Sequence, residues 1–276
     1  MKKFGRILIT VAALVASVAF ATPNSAVSAS ADGVALDYKH FPDYSFRYAI
    51  GNKADTNHNN YLESSEIAAF KNLYLSNITW VSKDMGGFKA KVDSGSTANY
   101  MSLKGIEYLT GLETIDVTGI TDTDLDLYTN KSLKKITLAQ CPNLEYLKTP
   151  SSATSLYVAK AQNFTSLDIS QSSSLTSLEM MQTGVRRLDL SNCSNLKTLS
   201  FIDMPIKKLE ISNLSKLTKL VMMDTNIKSV KLYKGSRVDK LSKMKVNRYV
   251  DGIFFSDAYI DGEYTVLNRD IGIIFE

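Results

Sequence analysis

The chain has 276 residues, 44% of them hydrophobic and 22% charged, and a formal net charge of +4. That length supplies a substantial core. Lys2, Lys3 and Arg6 carry three of those charges at the start of the chain. The remainder is close to neutral, at about +1, and offers no electrostatic case for nucleic acid.

The basic start runs into an apolar stretch, Ile7 to Phe20, followed by small residues at Ala19, Ala21, Val27 and Ala29. This is the pattern of a secretory signal peptide over residues 1–29, with two cleavage points on offer. The apolar run is shorter than the roughly 20 residues that span a bilayer, so no membrane span is expected after cleavage. No Cys follows the run to take a lipid anchor, and the ending Ile273-Ile274-Phe275-Glu276 has no sortase-type tail. The expected location is secreted, extracellular or loosely associated with a cell surface.

Residues 30–75 read as a helical cap. Asp55, Asn57 and Asn59, then Tyr61 and Glu66, occupy positions one, three, five, seven and twelve of an EF-hand-like calcium loop. Oxygen side chains at those spacings surround a hard cation, with the Tyr61 backbone carbonyl as a further donor and Glu66 able to bind through both oxygens. Position six, where the chain turns with positive φ, is Asn60 rather than Gly, and Asn is well suited to replace it. Helices are predicted from about Tyr44 to Asn52 and from Ser64 to Phe70. Few carboxylates line the loop, so calcium, if bound, is expected to be weak and structural. Residues 76–105 lose the pattern at Gly86-Gly87 and Asp93-Ser94-Gly95-Ser96 and read as a connecting insertion. It holds the sole tryptophan, Trp80.

Residues 106–232 carry one apolar pattern at a fixed spacing of 21. Leu112, Leu133, Thr154, Leu175, Leu196 and Leu217 form one column; Ile115, Ile136, Tyr157, Leu178, Leu199 and Leu220 a second; Val117, Leu138, Ala159, Met180, Phe201 and Met222 a third. A second set follows half a turn later, through Phe164, Val185, Ile206 and Ile227, then Leu167, Leu188, Leu209 and Val230, then Ile169, Leu190, Ile211 and Leu232. Such a period marks a solenoid, α/β or mainly β, whose units bury their apolar faces by stacking. Leu196-Lys-Thr-Leu199-Ser-Phe201 and Ile206-Lys-Lys-Leu209-Glu-Ile211 read L-x-x-L-x-L, the last two apolar residues sharing one face of a strand.

This unit resembles the bacterial leucine-rich repeat of internalin-like proteins, over roughly half the chain. Phe41-Pro42-Asp43-Tyr44-Ser45-Phe46-Arg47 and Ser102-Leu103-Lys104-Gly105-Ile106-Glu107-Tyr108-Leu109 resemble stretches of the same family, the first in its helical cap and the second just ahead of its first repeat. The resemblance implies a curved parallel sheet that binds a protein partner. One departure is the ninth repeat position, usually Asn or Cys, which holds Ile120, Cys141, Gln162, Thr183, Met204 and Thr225. The polar ladder of the family is expected to be mostly missing.

Outside the core columns two sets stand out. Met181, Ile202 and Met223 each follow an inward position, so alternation turns them outward, as a candidate protein-binding column or as packing covered by the next turn. Arg186, Lys207 and Lys228 form a basic column, beside Arg187 with Asp189 and Lys208 with Glu210, which alternation places side by side. These read as a solvated face or as a stripe for anionic wall polymer.

Residues 233–276 drop the period. Asp251-Gly252 and Asp261-Gly262 signal hairpins, and the segment reads as a β cap on the open end of the coil. Cys141 and Cys193 fall on opposite sides of the coil and are expected to be free thiols. His40 and His58 lack a nucleophile or metal partner at any recognisable spacing, so no enzyme is expected. The expected function is adhesion or host contact through a protein partner on a cell surface; the alternative is an envelope component held to anionic wall polymer.

Overall fold

The computed structural model describes residues 33–75, 101–226, 229–232, 259–260, 263–264 and 272–275, with side chains to Asn226 except that of Met223. The signal segment, Trp80 and Asp251-Gly252 lie outside the described residues.

The described chain opens with β1 (Val34–Ala35), α1 (Tyr44–Lys53), β2 (Tyr61–Leu62) and α2 (Ser64–Ala69). Asp43 starts α1 by accepting the Phe46 amide at 2.9 Å, satisfying one of the N–H groups that a first turn leaves unpaired. The helix then buries Phe46, Ala49 and Ile50. β1 pairs antiparallel with β2, Val34 opposite Leu62, which ties the loop between the helices to the chain ahead of them.

β3 (Asn72–Leu75) lies within the span read as cap yet is the first strand of the repeat sheet. Beyond it each turn of the coil contributes one longer strand and, except for the turn between β10 and β11, one shorter strand. The longer ones are β4 (Thr114–Thr118), β6 (Lys135–Ala139), β8 (Ser155–Ala161), β10 (Ser177–Thr183), β11 (Thr198–Met204) and β13 (Lys219–Thr225). They join β3 in a parallel sheet of seven strands among the described residues. The shorter strands are β5 (Asp124–Asp126), β7 (Tyr146–Lys148) and β9 (Ser166–Asp168), then β12 (Leu209–Ile211) and β14 (Ser229–Leu232). They form two three-stranded sheets, the second completed by β17 (Gly272–Phe275). β15 (Tyr259–Ile260) and β16 (Glu263–Tyr264) pair antiparallel, Ile260 opposite Glu263; Asp261-Gly262 lie outside the described residues.

The register explains the core. Leu73, Ile115, Ile136, Leu156, Leu178, Leu199 and Leu220 stand one on another, and all are fully buried. Two positions on, Leu75, Val117, Leu138, Val158, Met180, Phe201 and Met222 do the same. Each such side chain contributes about 2 kcal/mol by leaving water, and only neighbouring turns can supply the cover.

One turn departs from the strict period. Ile136 pairs with Leu156, 20 residues on, and Leu156 with Leu178, 22 on. Ala153, Leu156 and Val158 therefore take the buried places that a constant step of 21 assigns to Thr154, Tyr157 and Ala159. The cause is local: Leu156 and Val158 alternate as two aliphatic side chains, whereas an inward Tyr157 would bury a phenol with no partner. The same slip puts Ala161, not Gln162, beside Thr183 at the ninth position.

Each longer strand from β8 onward includes one residue at positive φ: Lys160 (53°), Gln182 (54°), Asp203 (51°) and Asp224 (49°), with Gln140 (52°) just past β6. Neighbouring strands skip these residues together, so that Met181 pairs with Ala159 and Thr183 with Ala161 while Gln182 and Lys160 stand between. The repeated bend aims the next residue back into the core.

A buried polar column does exist, away from the ninth position. Asn130 and Ser172 belong to it, with Pro150 and Cys193 at the equivalent places of the other turns, and the carbonyls of all four accept from the amides of Leu133, Ala153, Leu175 and Leu196 at 3.0–3.2 Å. Asn130 is fully buried and donates to Ile106 O and Leu109 O on the preceding turn. The Ser172 hydroxyl meets Thr149 Oγ1 at 2.6 Å. These bonds satisfy main-chain groups that the loops would otherwise leave unpaired.

The cap is fastened at Ser102-Leu103. The Ser102 amide donates to Asp43, and Asp122 accepts from the Ser102 hydroxyl at 2.6 Å and the Leu103 amide at 2.7 Å. Gly105 follows at φ 104°, where an added Cβ would lie 2.4 Å from the Phe41 ring, so only glycine fits. Cys141 and Cys193 are buried free thiols, both pushed up to about 11 by burial, with Asp122 and Asp189 adding to it.

Two outcomes are expected. Leu156→Ala should cost about 2–5 kcal/mol in urea unfolding and Tyr157→Ala under about 1, the reverse of what a constant period requires. The thiols should resist a thiol reagent at pH 8 in the folded chain and react after unfolding. Because the folded state holds both protons longer than the unfolded one, their stabilisation is complete below pH 9 and fades towards 11, and Cys141→Ala/Cys193→Ala should flatten that part of the melting profile.

Candidate functional site

On the outer face of the seven-stranded sheet, pairing aligns Thr118, Ala139, Ala159, Met181, Ile202 and Met223 across six strands. Met181 and Ile202 are half-buried, side by side; Ala159 is sunk to 3% exposure beside Met181. Next to this column Glu179, Ser200 and Val221 also align, and Val221 is half-buried. The Met181–Ile202 column is a low apolar strip towards the C-terminal ends of the strands, with its floor at the two alanines and with Glu179 and Ser200 beside it. Exposed Lys160, Asp203 and Asp224, with Gln182, border it on one side in the positive-φ column; towards the other end of the strands Thr198 pairs with half-buried Lys219. Gln182 donates to Asp203 at 3.3 Å.

Arg186 and Lys207 are exposed, with Arg187 and Lys208 beside them, on the run of chain that carries the second apolar set. They share no face with Met181: the predicted partner-binding residues divide between the two sides of the coil. Lys208 and Glu210 pair at 2.6 Å, as alternation along β12 requires. Asp189 instead accepts the Ser191 amide at 2.9 Å, and that bond is what holds its carboxyl below the ordinary carboxylate value. Lys228 lies outside the described residues.

The loop between α1 and α2 gathers Asp55, Asn57, Asn59, Tyr61 and Glu66. Asp55, 3% exposed, accepts the amides of Asn59 at 3.2 Å and Asn60 at 2.9 Å. Asn57 and Asn59 accept amides two residues on, at 3.0 and 2.8 Å. Glu66 Oε1 takes the Thr56 amide at 2.7 Å and its hydroxyl at 2.6 Å, and Oε2 takes the Glu63 amide at 3.2 Å. Burial opposes the charge on Glu66, but these bonds, with Glu63 alongside, outweigh it and hold the carboxyl down at about 2. Asn60 sits at φ 62° and His58 at 58°.

The chemistry of this donor set, two carboxylates and two carboxamides, suits a hard cation; Glu66 Oε1 accepts twice, while the Asp55 oxygens, Glu66 Oε2 and the Asn57 and Asn59 carbonyl oxygens each accept one bond from those named above and keep a lone pair. Against this, Asn57 and Asn59 turn their side-chain nitrogens to Glu63, at 3.2 and 2.7 Å. Among the described residues, no three of His, Cys, Asp and Glu converge as a metal centre requires.

One feature escaped sequence reasoning. Among the described residues the exposed large apolar side chains are all tyrosines, Tyr38, Tyr44, Tyr48, Tyr74 and Tyr128, and the first four belong to the cap and first strand. Tyr44 and Tyr48 stack, four apart on α1. Polar face positions of a short helix carry no signal of how far a ring stands out.

No protein-family model matches the chain, and no curated protein does. Among solved structures it is similar to internalin C2 from Listeria monocytogenes, at 19% identity over 71% of this chain and 90% of that one, with a TM-score of 0.35. It is also similar to the functional domain of InlJ, which includes a cysteine ladder, from the same organism (16%, 73% and 57%, TM-score 0.26). A third is an internalin, inlF, again from Listeria monocytogenes (13%, 79% and 98%, TM-score 0.25). The chain thus spans a little over half of the InlJ domain. The β-solenoid itself stands on the strand register and core described above. Among the described residues no helix is long and apolar enough to cross a membrane.

Proposed function

We propose that this is a secreted, non-enzymatic binding protein that engages a protein partner on a cell surface, in an adhesion or host-contact role, through the outer face of the seven-stranded sheet. The observation that supports this reading is the column through Met181 and Ile202, apolar and partly open on a face whose other columns are mostly polar. A sheet locked by its core presents that strip without a cost of ordering it, which favours recognition.

The test is capture from cell-surface extracts by residues 30–276, beside an Ile202→Glu variant shown by circular dichroism and melting temperature to fold as the parent does. A cross-linked protein partner identified with the parent, and reduced at least tenfold with the variant, is the expected result; equal capture by both sinks the assignment of the face.

A second reading rests on Arg186, Arg187, Lys207 and Lys208, four exposed cations on adjacent turns of the other side. With Lys228 they would hold anionic wall polymer, and retention on cells would then be released by salt and indifferent to Ile202→Glu.

The loop from Asp55 to Glu66 is proposed as a weak calcium site that stiffens the cap. With a dissociation constant of about 1 mM, as in extracellular modules, 10 mM calcium would stabilise the fold by about 1.4 kcal/mol. The melting temperature should rise with calcium and not with magnesium, and Glu66→Gln should remove the rise. No shift in the parent rejects the site.

A further inference from the structure

We infer that Glu63 is a latch: its carboxylate closes the loop between α1 and α2 from within, in the role a cation would otherwise play, and a cation drawing on Asn57 and Asn59 must first open it. The second half of this inference rests on the proposed calcium site; the first stands without it.

Each carboxamide has its oxygen committed to a local turn. Asn57 Oδ1 accepts the Asn59 amide at 3.0 Å and Asn59 Oδ1 accepts the Tyr61 amide at 2.8 Å, the bonds such side chains favour with the backbone two residues on. A backbone N–H only donates, so the oxygen faces it and the nitrogen is left at the other end. Both nitrogens then meet one group: Asn57 Nδ2 donates to Glu63 Oε2 at 3.2 Å and Asn59 Nδ2 to Oε1 at 2.7 Å. A carboxylate only accepts, so both ends of both side chains agree on this orientation, and turning either over would set like against like.

The place on which Asn57 and Asn59 converge therefore holds an anion. Asp55, Glu63 and Glu66 bring three carboxylates together in the loop, a crowding that costs free energy unless something of opposite polarity meets it. Neutral donors of the loop itself do so: the amides of Asn59 and Asn60 on Asp55, the amide and hydroxyl of Thr56 on Glu66, and the two carboxamides on Glu63. Glu63 is placed for this by α2. It stands just ahead of the helix, half-buried, with its amide on Glu66 Oε2 at 3.2 Å.

Calcium takes oxygen ligands, and the carboxamide ends that face Glu63 are nitrogens. A cation using these side chains on that side costs the loop both bonds to Glu63, and the latched population lowers the apparent affinity in proportion.

The test reads melting temperature in chelator and in calcium, and calcium affinity by calorimetry, on residues 30–276 and variants of it. Asn57→Asp/Asn59→Asp keeps both turn oxygens and sets two carboxylates against Glu63. In chelator it should melt about 3–6 °C below the parent, and adding Glu63→Gln, which offers an N–H in place of one oxygen, should restore most of the loss. Glu63→Ala opens the latch without touching the carboxamides, and it should bind calcium about threefold more tightly than the parent. Loss of a helix cap alone would lower the melting temperature and leave that affinity where it was. No loss in the double variant, or a loss that Glu63→Gln does not reduce, overturns the latch. Weaker calcium binding by Glu63→Ala makes Glu63 a ligand, and unchanged binding makes it only a cap; either overturns the competition with the cation. Should neither the parent nor Glu63→Ala respond to calcium while the double variant behaves as expected, the calcium site and the competition fall together and the latch stands.

Discussion

Each turn of this chain can cover its apolar face only with the turns on either side. Leu156 is buried because Ile136 lies under it and Leu178 over it, and the same holds for every inward position of the sheet. Nearly everything else follows from keeping equivalent residues in line. The in-line requirement fixes the bend at Lys160, Gln182 and Asp203, although none of these is glycine and each such residue costs on the order of 1 kcal/mol. It also places loop carbonyls one above another, where Asn130 and Ser172 can reach them. The ends, where one neighbour is lacking, are where the pattern changes: helices and an Asp–Ser clamp at one, a hairpin and an added strand at the other.

The same alignment makes the outer faces columnar. A single residue type repeated at one position becomes a stripe rather than a scatter of points, so the apolar strip and its charged margins arise from few substitutions per turn. Glu113 shows the other use of this geometry, holding Lys134 from the next turn at 2.8 Å and Lys71 from the previous one at 3.6 Å, an exposed network of small energetic weight that marks the polar end of the face.

The sequence revealed most of the fold where two periodicities agree. At Leu199 and Phe201 the spacing of two and the spacing of 21 coincide, and the strand is where both place it. At Leu156 they disagree by one residue, and the local alternation prevails because strand geometry is rigid whereas a loop absorbs a residue cheaply. Leu73 and Leu75 were hidden by the distance to the next strand, which is twice the usual step. Asn130, Ser172 and Cys193 each stand three residues before an inward position, a signal open to reading but sought at the wrong position of the unit. Alternation told which way Met181 points; how much of it meets water depends on Glu179, Gln182 and Ile202 around it, which no linear pattern encodes.

The hydrogen bonds between turns run nearly along the axis of the coil, and the two cysteines form no covalent tie across it. A pull along that axis therefore meets the bonds of one turn at a time instead of shearing many together. Yielding would begin at an end, in steps of one turn, and a turn that let go could close again on the template of its neighbour. For a molecule held between two surfaces, this is the behaviour of a spring with a graded release, in contrast to the brittle failure of a sandwich whose strands are loaded side by side.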